Sequence, residues 1–185
     1  MAAPGGDVIA ELEADHREVQ MLFARIAVAP RTELQELVHR VSVELVRHSI
    51  AEEAYLYPAV RAHVLDGDRL ADKEVADHAQ VERLLKGLEG RSPADADFDP
   101  LLRTLSREVD LHIQDEEQRL FPALASGTTP EELARLGERV RAMKAMAPTR
   151  PHPDAPSSPT ARRLLAPGIG LIDRVRDYRS GRGRE

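Results

Sequence analysis

The chain has 185 residues, of which 42% are hydrophobic, 31% are charged and 3% are aromatic, and its net charge is −6. It has no cysteine, which excludes disulfides and thiolate metal sites, and it has no apolar run near the roughly 20 residues that span a bilayer. The acidic net charge provides no basic surface for nucleic acid, so we do not expect a nucleic-acid partner. Because no apolar run is long enough to span a bilayer, we do not expect a membrane partner either. No secretory signal is recognisable at the N-terminus, and we expect a cytoplasmic protein.

Helical periodicity and good helix formers predict five helices. In chain order they run over Asp7–Ala27, Thr32–Val64, Asp68–Leu88, Asp99–Leu124 and Pro130–Met146. Helix breakers separate the first four, at Ala29-Pro30, at Asp66-Gly67-Asp68 and within residues 90–93. Thr129 is the predicted N-cap of the fifth helix, with Pro130 as its first residue.

A Pro-rich stretch over residues 148–160 follows the fifth helix and predicts an extended linker. Beyond it, Ile169, Ile172 and Val175 fall on one side of a predicted short amphipathic helix. Residues 148–185 carry eight arginines against four acidic residues, which makes a basic tail on an acidic body. We therefore expect three units: residues 1–126 form the main helical domain, 127–147 an additional helix, and 148–185 the linker and tail helix.

The sequence also contains an internal repeat. ADHREVQMLF at 14–23 matches ADHAQVERLL at 76–85, and HSIAEEAYLYPA at 48–59 matches HIQDEEQRLFPA at 112–123. Each repeat corresponds to one helical hairpin. Two hairpins predict an all-α, up-down-up-down four-helix bundle with pseudo-twofold symmetry, to which the fifth helix and the Pro-rich tail are added.

The repeats place one histidine on each bundle helix, with two glutamates nearby. His48 and Glu52 are four residues apart, as are His112 and Glu116, so each pair shares a helix face with side chains roughly 6 Å apart. The midpoints between successive histidines fall in or beside the predicted turns, which puts all four at one height in antiparallel helices. Burying four imidazoles and two carboxylates in one layer costs free energy unless an ion binds them. The predicted metal ligands are His16, His48, Glu52, His78, His112 and Glu116.

This pattern, His16, His48-x3-Glu52, His78 and His112-x3-Glu116, resembles the haemerythrin-like HHE cation-binding family over residues 7–126. The resemblance implies a di-iron site without haem. In it, two iron ions are bound by imidazoles and bridged by two carboxylates and often by an oxo or hydroxo group. It also implies small-molecule partners, namely dioxygen, hydrogen peroxide or nitric oxide.

The sequence departs from oxygen-carrying haemerythrin at two positions. That protein has a second histidine four residues after the third-helix ligand, where this chain has Glu82. It also spaces its last carboxylate five residues from the histidine, where Glu117 stands. We favour Glu116 because the first repeat has the same spacing at Glu52. One imidazole fewer disfavours reversible oxygen carriage, and Glu82 either supplies the missing ligand or lies on the surface.

Tyr55 is the candidate catalytic residue, because it falls one turn beyond Glu52 on the predicted ligand face. A phenol there would hydrogen-bond a bridging oxygen or protonate bound peroxide; alternatively, it replaces the missing imidazole as a ligand. The other interpretation is a buried tyrosine with its hydroxyl bonded elsewhere. Tyr57 and Phe121 are predicted to pack in the core, and Glu53 and Glu117 to be solvated or to support the ligands.

Three functions fit these residues. The first is catalase-like decomposition of peroxide, with iron cycling between oxidation states. The second is a module that binds or senses dioxygen, nitric oxide or iron without turnover, and the third is a metal that only stabilises the bundle. Four imidazoles and two carboxylates suit iron, with manganese or zinc as alternatives, although zinc prefers a closed tetrahedral site. The oligomeric state is left open.

Overall fold

The computed structural model describes residues 6–153 together with Ser158, Ile169 and Asp173. Within these residues the chain is helical and contains no strand. Two of its long helices are each interrupted by one π-helical turn. The elements are α1 (Val8–Val28), α2 (Arg31–Ala51), π1 (Glu52–Leu56), α3 (Tyr57–His63), α4 (Gly67–Leu88), α5 (Phe98–Asp115), π2 (Glu116–Leu120), α6 (Phe121–Gly127) and α7 (Pro130–Met146).

The five predicted helices are all present, each within three residues of its expected ends. The capping residues explain where two of them begin. The Asp7 carboxylate accepts a hydrogen bond from the Ala10 N–H at 2.9 Å. The Thr129 hydroxyl accepts one from the Glu132 N–H at 3.3 Å, and Pro130 follows it as predicted.

The four bundle helices are α1, the continuous rod α2–π1–α3, α4, and the second rod α5–π2–α6. Sequential neighbours pack against each other, which confirms the predicted helical bundle, and α7 packs against α1, α2 and π1 as the extra helix. The core consists mainly of leucine and valine, as the composition indicates, with Tyr57, Phe98 and Phe121 as its largest buried side chains.

The turn before α4 requires particular residues. Asp66 adopts the left-handed conformation, with φ of 60°. At Gly67 a Cβ would lie 2.2 Å from the carbonyl oxygen of Val60, so glycine is needed where α4 begins against α3. This close approach fixes the turn that connects α3 to α4.

The fifth helix is closely docked on the bundle. It buries Leu133, Leu136, Val140 and Met143. The chain continues from α7 along the bundle, and Thr149 is buried. The boundaries predicted at residues 126 and 148 stay predictions. Most of the predicted tail helix, including Ile172 and Val175, lies outside the described residues.

Among the described residues, no helix has both the length and the apolar character that crossing a membrane requires.

Candidate metal centre

The two π-helical turns begin at the predicted glutamate ligands. Glu52 and Glu116 are the first residues of π1 and π2, and the N–H groups of Tyr57 and Phe121 bond to their carbonyls, five residues back. Each turn therefore contains one residue more than an α-helical turn, a feature common at functional sites. Both glutamates are fully buried in the centre of the bundle.

The four predicted histidines meet these carboxylates in one buried layer. The imidazole rings of His16 and His48 have centroids 4.9 Å apart, and those of His78 and His112 are 4.7 Å apart. No histidine of the four is more than 5% exposed. The layer thus consists of two imidazole pairs, one from each sequence repeat.

Each glutamate lies between the two pairs. Glu52 Oε2 is 3.1 Å from His48 Nε2 and 3.2 Å from His78 Nε2. Glu116 Oε2 is 3.4 Å from His16 Nε2 and 3.6 Å from His112 Nε2. Both carboxylates therefore contact imidazoles of both repeats, which is the position that a bridging ligand must occupy.

Several of these buried atoms have no hydrogen-bond partner among the described residues: His16 Nε2, His48 Nε2, Glu52 Oε1 and Glu116 Oε2. An unsatisfied buried polar atom costs about 1–3 kcal/mol. In addition, the Nε2 atoms of His78 and His112 lie only 3.2 Å apart. Nitrogen and oxygen atoms that converge in this way fit a cation, and two of the groups able to hold one share Glu52.

The outer nitrogen of every imidazole faces a carboxylate. The Nδ1-to-oxygen distances are 2.9 Å for His16–Glu117, 3.3 Å for His48–Asp15, 3.3 Å for His78–Glu53 and 2.8 Å for His112–Glu74. Such carboxylates orient a ligating imidazole and turn its other nitrogen toward the ion. Glu53 and Glu117 thus take supporting positions, whereas Asp15 and Glu74 were missed in the sequence.

The sequence does contain a pattern that could have indicated Asp15. The tripeptide Ala-Asp-His occurs in both repeats, so Asp15 has a repeat counterpart in Asp77. Glu74 has no such signal, because the first repeat has Leu12 at the corresponding position. Its carboxylate is nevertheless fully buried beside His112.

The electrostatics of the layer favour positive charge. Burial opposes the charged form of His48, but Glu52 and Asp15 outweigh it and raise the pKa to about 10. Burial likewise opposes the charged form of His78, and Glu52 and Glu53 raise its pKa to about 10. Burial raises the pKa of Glu52, yet the two histidines hold it well below its ordinary value. Bound metal ions would replace these protons.

A phenol completes the layer. The Tyr57 hydroxyl donates to Glu116 Oε1 at 3.0 Å, and it lies 3.0 Å from His78 Nε2 and 3.4 Å from Glu52 Oε2. Burial, followed by the charges of Glu116 and Glu52, raises the pKa of Tyr57 well above its ordinary value. The hydroxyl therefore keeps its proton and remains a donor beside the ligand atoms.

The hemerythrin HHE cation binding domain family matches residues 7–148 of the chain. The chain belongs to this family. It is 28% identical over 165 residues to a hemerythrin-like protein of Schizosaccharomyces pombe, with 88% of this chain and 81% of the relative covered. It is also 29% identical over 136 residues to a DNA nickase of Nostoc, where the match covers 72% of this chain but only 38% of the relative.

A solved structure supports the fold. A hemerythrin HHE cation binding domain-containing protein from Mycobacterium kansasii superposes with a TM-score of 0.67 at 22% sequence identity. The superposition covers 92% of this chain and 98% of that one. Membership of the HHE family, together with the cluster of buried ligand atoms, establishes metal binding as the general function of the domain.

The structure brings a second tyrosine, Tyr57, to the ligand layer, and the catalytic role expected of Tyr55 stays a prediction. The expectation for Tyr55 used the period of an α-helix, whereas π1 inserts one residue into the turn and bonds the N–H of Tyr57 to the carbonyl of Glu52. Tyr55 is partly buried and packs against the core. The repeat counterpart of Tyr57 is Phe121, whose ring stacks on His16 with centroids 5.7 Å apart and carries no hydroxyl.

Glu82, considered as a replacement for the missing histidine, has a different contact. Its Oε1 accepts a hydrogen bond from the backbone N–H of His152 at 2.7 Å. The buried glutamate that joins His112 and Glu116 in a group able to hold an ion is Glu74, four residues before His78 rather than four after it.

A small cavity adjoins the layer. Its volume is about 10 Å³, and its walls combine the four histidines with Val19, Leu45, Ser49, Val81, Val109 and Ile113. A second cavity of about 10 Å³ shares Leu45, Ser49, His78 and Val81 with the first and extends to Glu53 and Glu82. Each volume corresponds to roughly one water molecule, so only very small molecules fit beside the ligands.

Proposed function

We propose that this HHE domain holds two iron ions, one at each imidazole pair, and decomposes hydrogen peroxide there. The observation that carries this proposal is the position of Glu52 and Glu116, each in contact with both pairs and each with an unsatisfied buried oxygen. The proposed ligands are His16, His48, Glu52, His78, His112 and Glu116.

The donor set supports iron. Imidazoles with carboxylates suit iron, whereas a structural zinc site is closed by four tetrahedral ligands. Iron bound here supplies one-electron redox chemistry and an open position for a small oxidant. Glu52 and Glu116 suit such a pair of cations, because both carboxylates are fully buried and each contacts both imidazole pairs.

The protein's own groups handle protons and access. Tyr57 holds a proton on its hydroxyl, 3.0 Å from both Glu116 Oε1 and His78 Nε2, where it can donate to a bound oxidant and recover the proton. The carboxylates on the Nδ1 atoms keep the four imidazoles in orientation. The valine and leucine walls of the adjoining cavity exclude larger molecules.

The second candidate function is binding or sensing of dioxygen or nitric oxide without turnover. The size of the cavity favours it, because a volume of about 10 Å³ between the imidazoles and five aliphatic side chains suits a diatomic molecule. This candidate uses the same ligands and the same two ions. Only the fate of the bound molecule differs.

Two measurements on the purified full-length protein test the proposal. Protein produced with ample iron is expected to contain two irons per chain by elemental analysis, and peroxide added to it is expected to release dioxygen. About one zinc per chain with no iron would contradict the metal assignment. Two irons without dioxygen release, but with a reversible spectral change under dioxygen or nitric oxide, would favour the second candidate.

A further inference from the structure

The last turn of α7 reaches the metal centre through a chain of polar contacts. Lys144 Nζ lies 2.6 Å from Asp15 Oδ1 and 2.7 Å from Glu11 Oε1, both on α1. The other oxygen of Asp15 is 3.3 Å from His48 Nδ1. Lys144 is 18% exposed and Asp15 13% exposed, so this contact is largely shielded from water.

The second sequence repeat obtains the same arrangement from its own helix. Lys73 Nζ lies 3.2 Å from Glu74 Oε1, and the other oxygen of Glu74 is 2.8 Å from His112 Nδ1. When the alignment of residues 14–23 with 76–85 is extended toward the N-terminus, the position of Lys73 corresponds to the acidic residue Glu11. The first repeat therefore has no lysine of its own at this point, and α7 supplies one from outside the repeat.

We infer that Lys144 is a positioning residue of the metal centre, which holds the Asp15 carboxylate against His48 and makes α7 part of the site. Without the ammonium group, the carboxylates of Glu11 and Asp15, four residues apart on one helix, repel each other. Asp15 then moves away from His48 Nδ1, and the imidazole loses its fixed orientation toward the ion.

The close docking of α7 keeps Lys144 in place. A Cβ at Gly137 would lie 2.7 Å from the carbonyl oxygen of Gly6, so this glycine allows α7 to contact the backbone at the start of α1. Arg141, one turn before Lys144, lies 2.8 Å from the same Gly6 oxygen and 3.3 Å from Glu11 Oε2. Arg141 therefore joins the same two helices, but its contacts do not include Asp15.

The inference rests on the proposed metal centre, and its test uses the full-length protein loaded with iron. Lys144→Gln is expected to weaken iron binding about tenfold in chelator competition, at the low end of the roughly 10–100-fold range for residues that support a ligand. It is also expected to shift the visible spectrum of the bound iron. Lys144→Arg, which keeps the charge, should retain most of the affinity.

Two further variants separate positioning from helix docking. Asp15→Asn combined with Lys144→Gln should bind iron no more weakly than Asp15→Asn alone, because the lysine acts through the aspartate. Arg141→Gln removes a contact between the same helices and should leave the affinity and the spectrum unchanged. If Lys144→Gln does not fold, Lys144→Met, which retains the apolar stem, takes its place.

The outcomes are distinguishable. Iron-loaded Lys144→Gln with the affinity and spectrum of the unmodified protein would overturn this inference and leave the proposed function intact. Equal losses in Lys144→Gln and Arg141→Gln would also overturn it, because both would then act only through helix docking. Failure of the unmodified protein to bind iron would overturn the proposed function, and this inference with it.

Discussion

A single hydroxyl distinguishes the two halves of the candidate site. Tyr57 and Phe121 occupy the same position in the two repeats, and each follows a candidate glutamate ligand by five residues. The phenylalanine ring only stacks on His16, whereas the tyrosine hydroxyl reaches ligand atoms from two helices. Under the proposed function, we therefore expect a proton to be supplied on the side of His78.

Replacing Tyr57 by phenylalanine tests this difference. The ring remains and fills the same space, so iron content should stay near two per chain. The rate of peroxide decomposition should fall by roughly 10²–10⁴-fold, the usual contribution of a positioned acid–base group, and the visible spectrum should change. Elemental analysis, spectroscopy and dioxygen release measure the three effects.

Tyr55→Phe is the matched control, because it removes a hydroxyl from the same turn at a residue that packs against the core. It should change neither iron content nor rate. The opposite result, with activity lost in Tyr55→Phe and kept in Tyr57→Phe, would assign the catalytic role to Tyr55, as helical periodicity predicts. Loss of iron in Tyr57→Phe would instead identify the phenol as a ligand.

The sequence predicted the six candidate ligands because the internal repeat and the equal distances from the turns bring them to one level. Residues that do not follow the internal repeat could not be predicted in the same way. Glu74 has a leucine as its repeat counterpart, so symmetry pointed away from it. Lys144 lies outside both repeats, and only the docking of α7 brings it to Asp15.

At the level of the elements, π1 and π2 are the main difference between the expected and the observed helices. Both turns consist of helix-forming residues such as glutamate and leucine, and neither contains glycine or proline. Propensity therefore predicted continuous helices, which the chain does form. Proline follows each turn closely, at Pro58 and Pro122, and it cannot donate an N–H to the helical ladder.

The docking of α7 gives a prediction for this element. Alanine normally stabilises a helix interior relative to glycine by roughly 0.5–1 kcal/mol. At Gly137 the added methyl group would lie 2.7 Å from the Gly6 carbonyl oxygen. We expect Gly137→Ala to lower the free energy of unfolding by about 1–3 kcal/mol, the usual cost of overpacking, as measured by denaturant titration.

Glu138→Ala is the control for this substitution, because Glu138 is the next residue of α7 and is exposed. It should leave the free energy of unfolding nearly unchanged. Stabilisation by Gly137→Ala would mean that α7 does not contact the start of α1 in solution. The argument for Lys144 would then lose its structural basis.

For the whole molecule, the sequence predicted the class, the order of helices and the bundle, because hydrophobic periodicity and the breakers between helices agree. It did not predict how firmly the segment after α7 is attached. Arg150 forms an ion pair with Glu89 at 2.8 Å, and the backbone N–H of His152 binds Glu82. Glu82 lies on α4 and Glu89 directly follows it, far along the chain from residues 150 and 152, and no local pattern indicates these contacts.

The metal centre should couple the two repeats, because Glu52 and Glu116 each contact histidines of both. Several buried atoms of the candidate ligands have no hydrogen-bond partner among the described residues, and bound ions would satisfy them. We therefore expect iron to raise the midpoint of thermal unfolding, with about 1.4 kcal/mol gained per bound ion for each tenfold excess of free iron over its dissociation constant. Calorimetry of chelator-treated and reloaded protein measures this gain.

Two variants decide whether that gain comes from the bridged layer. Glu116→Ala removes a carboxylate that spans both imidazole pairs, and its unfolding midpoint should no longer depend on iron. His63→Ala removes an exposed histidine at the end of α3, and it should keep the full dependence. Equal midpoints with and without iron in the unmodified protein would show that the ions bind weakly or that unfolded chains bind them as well. An iron-dependent gain that survives in Glu116→Ala would show that one repeat alone holds its ion, and the two halves of the bundle would then be joined by packing rather than by metal.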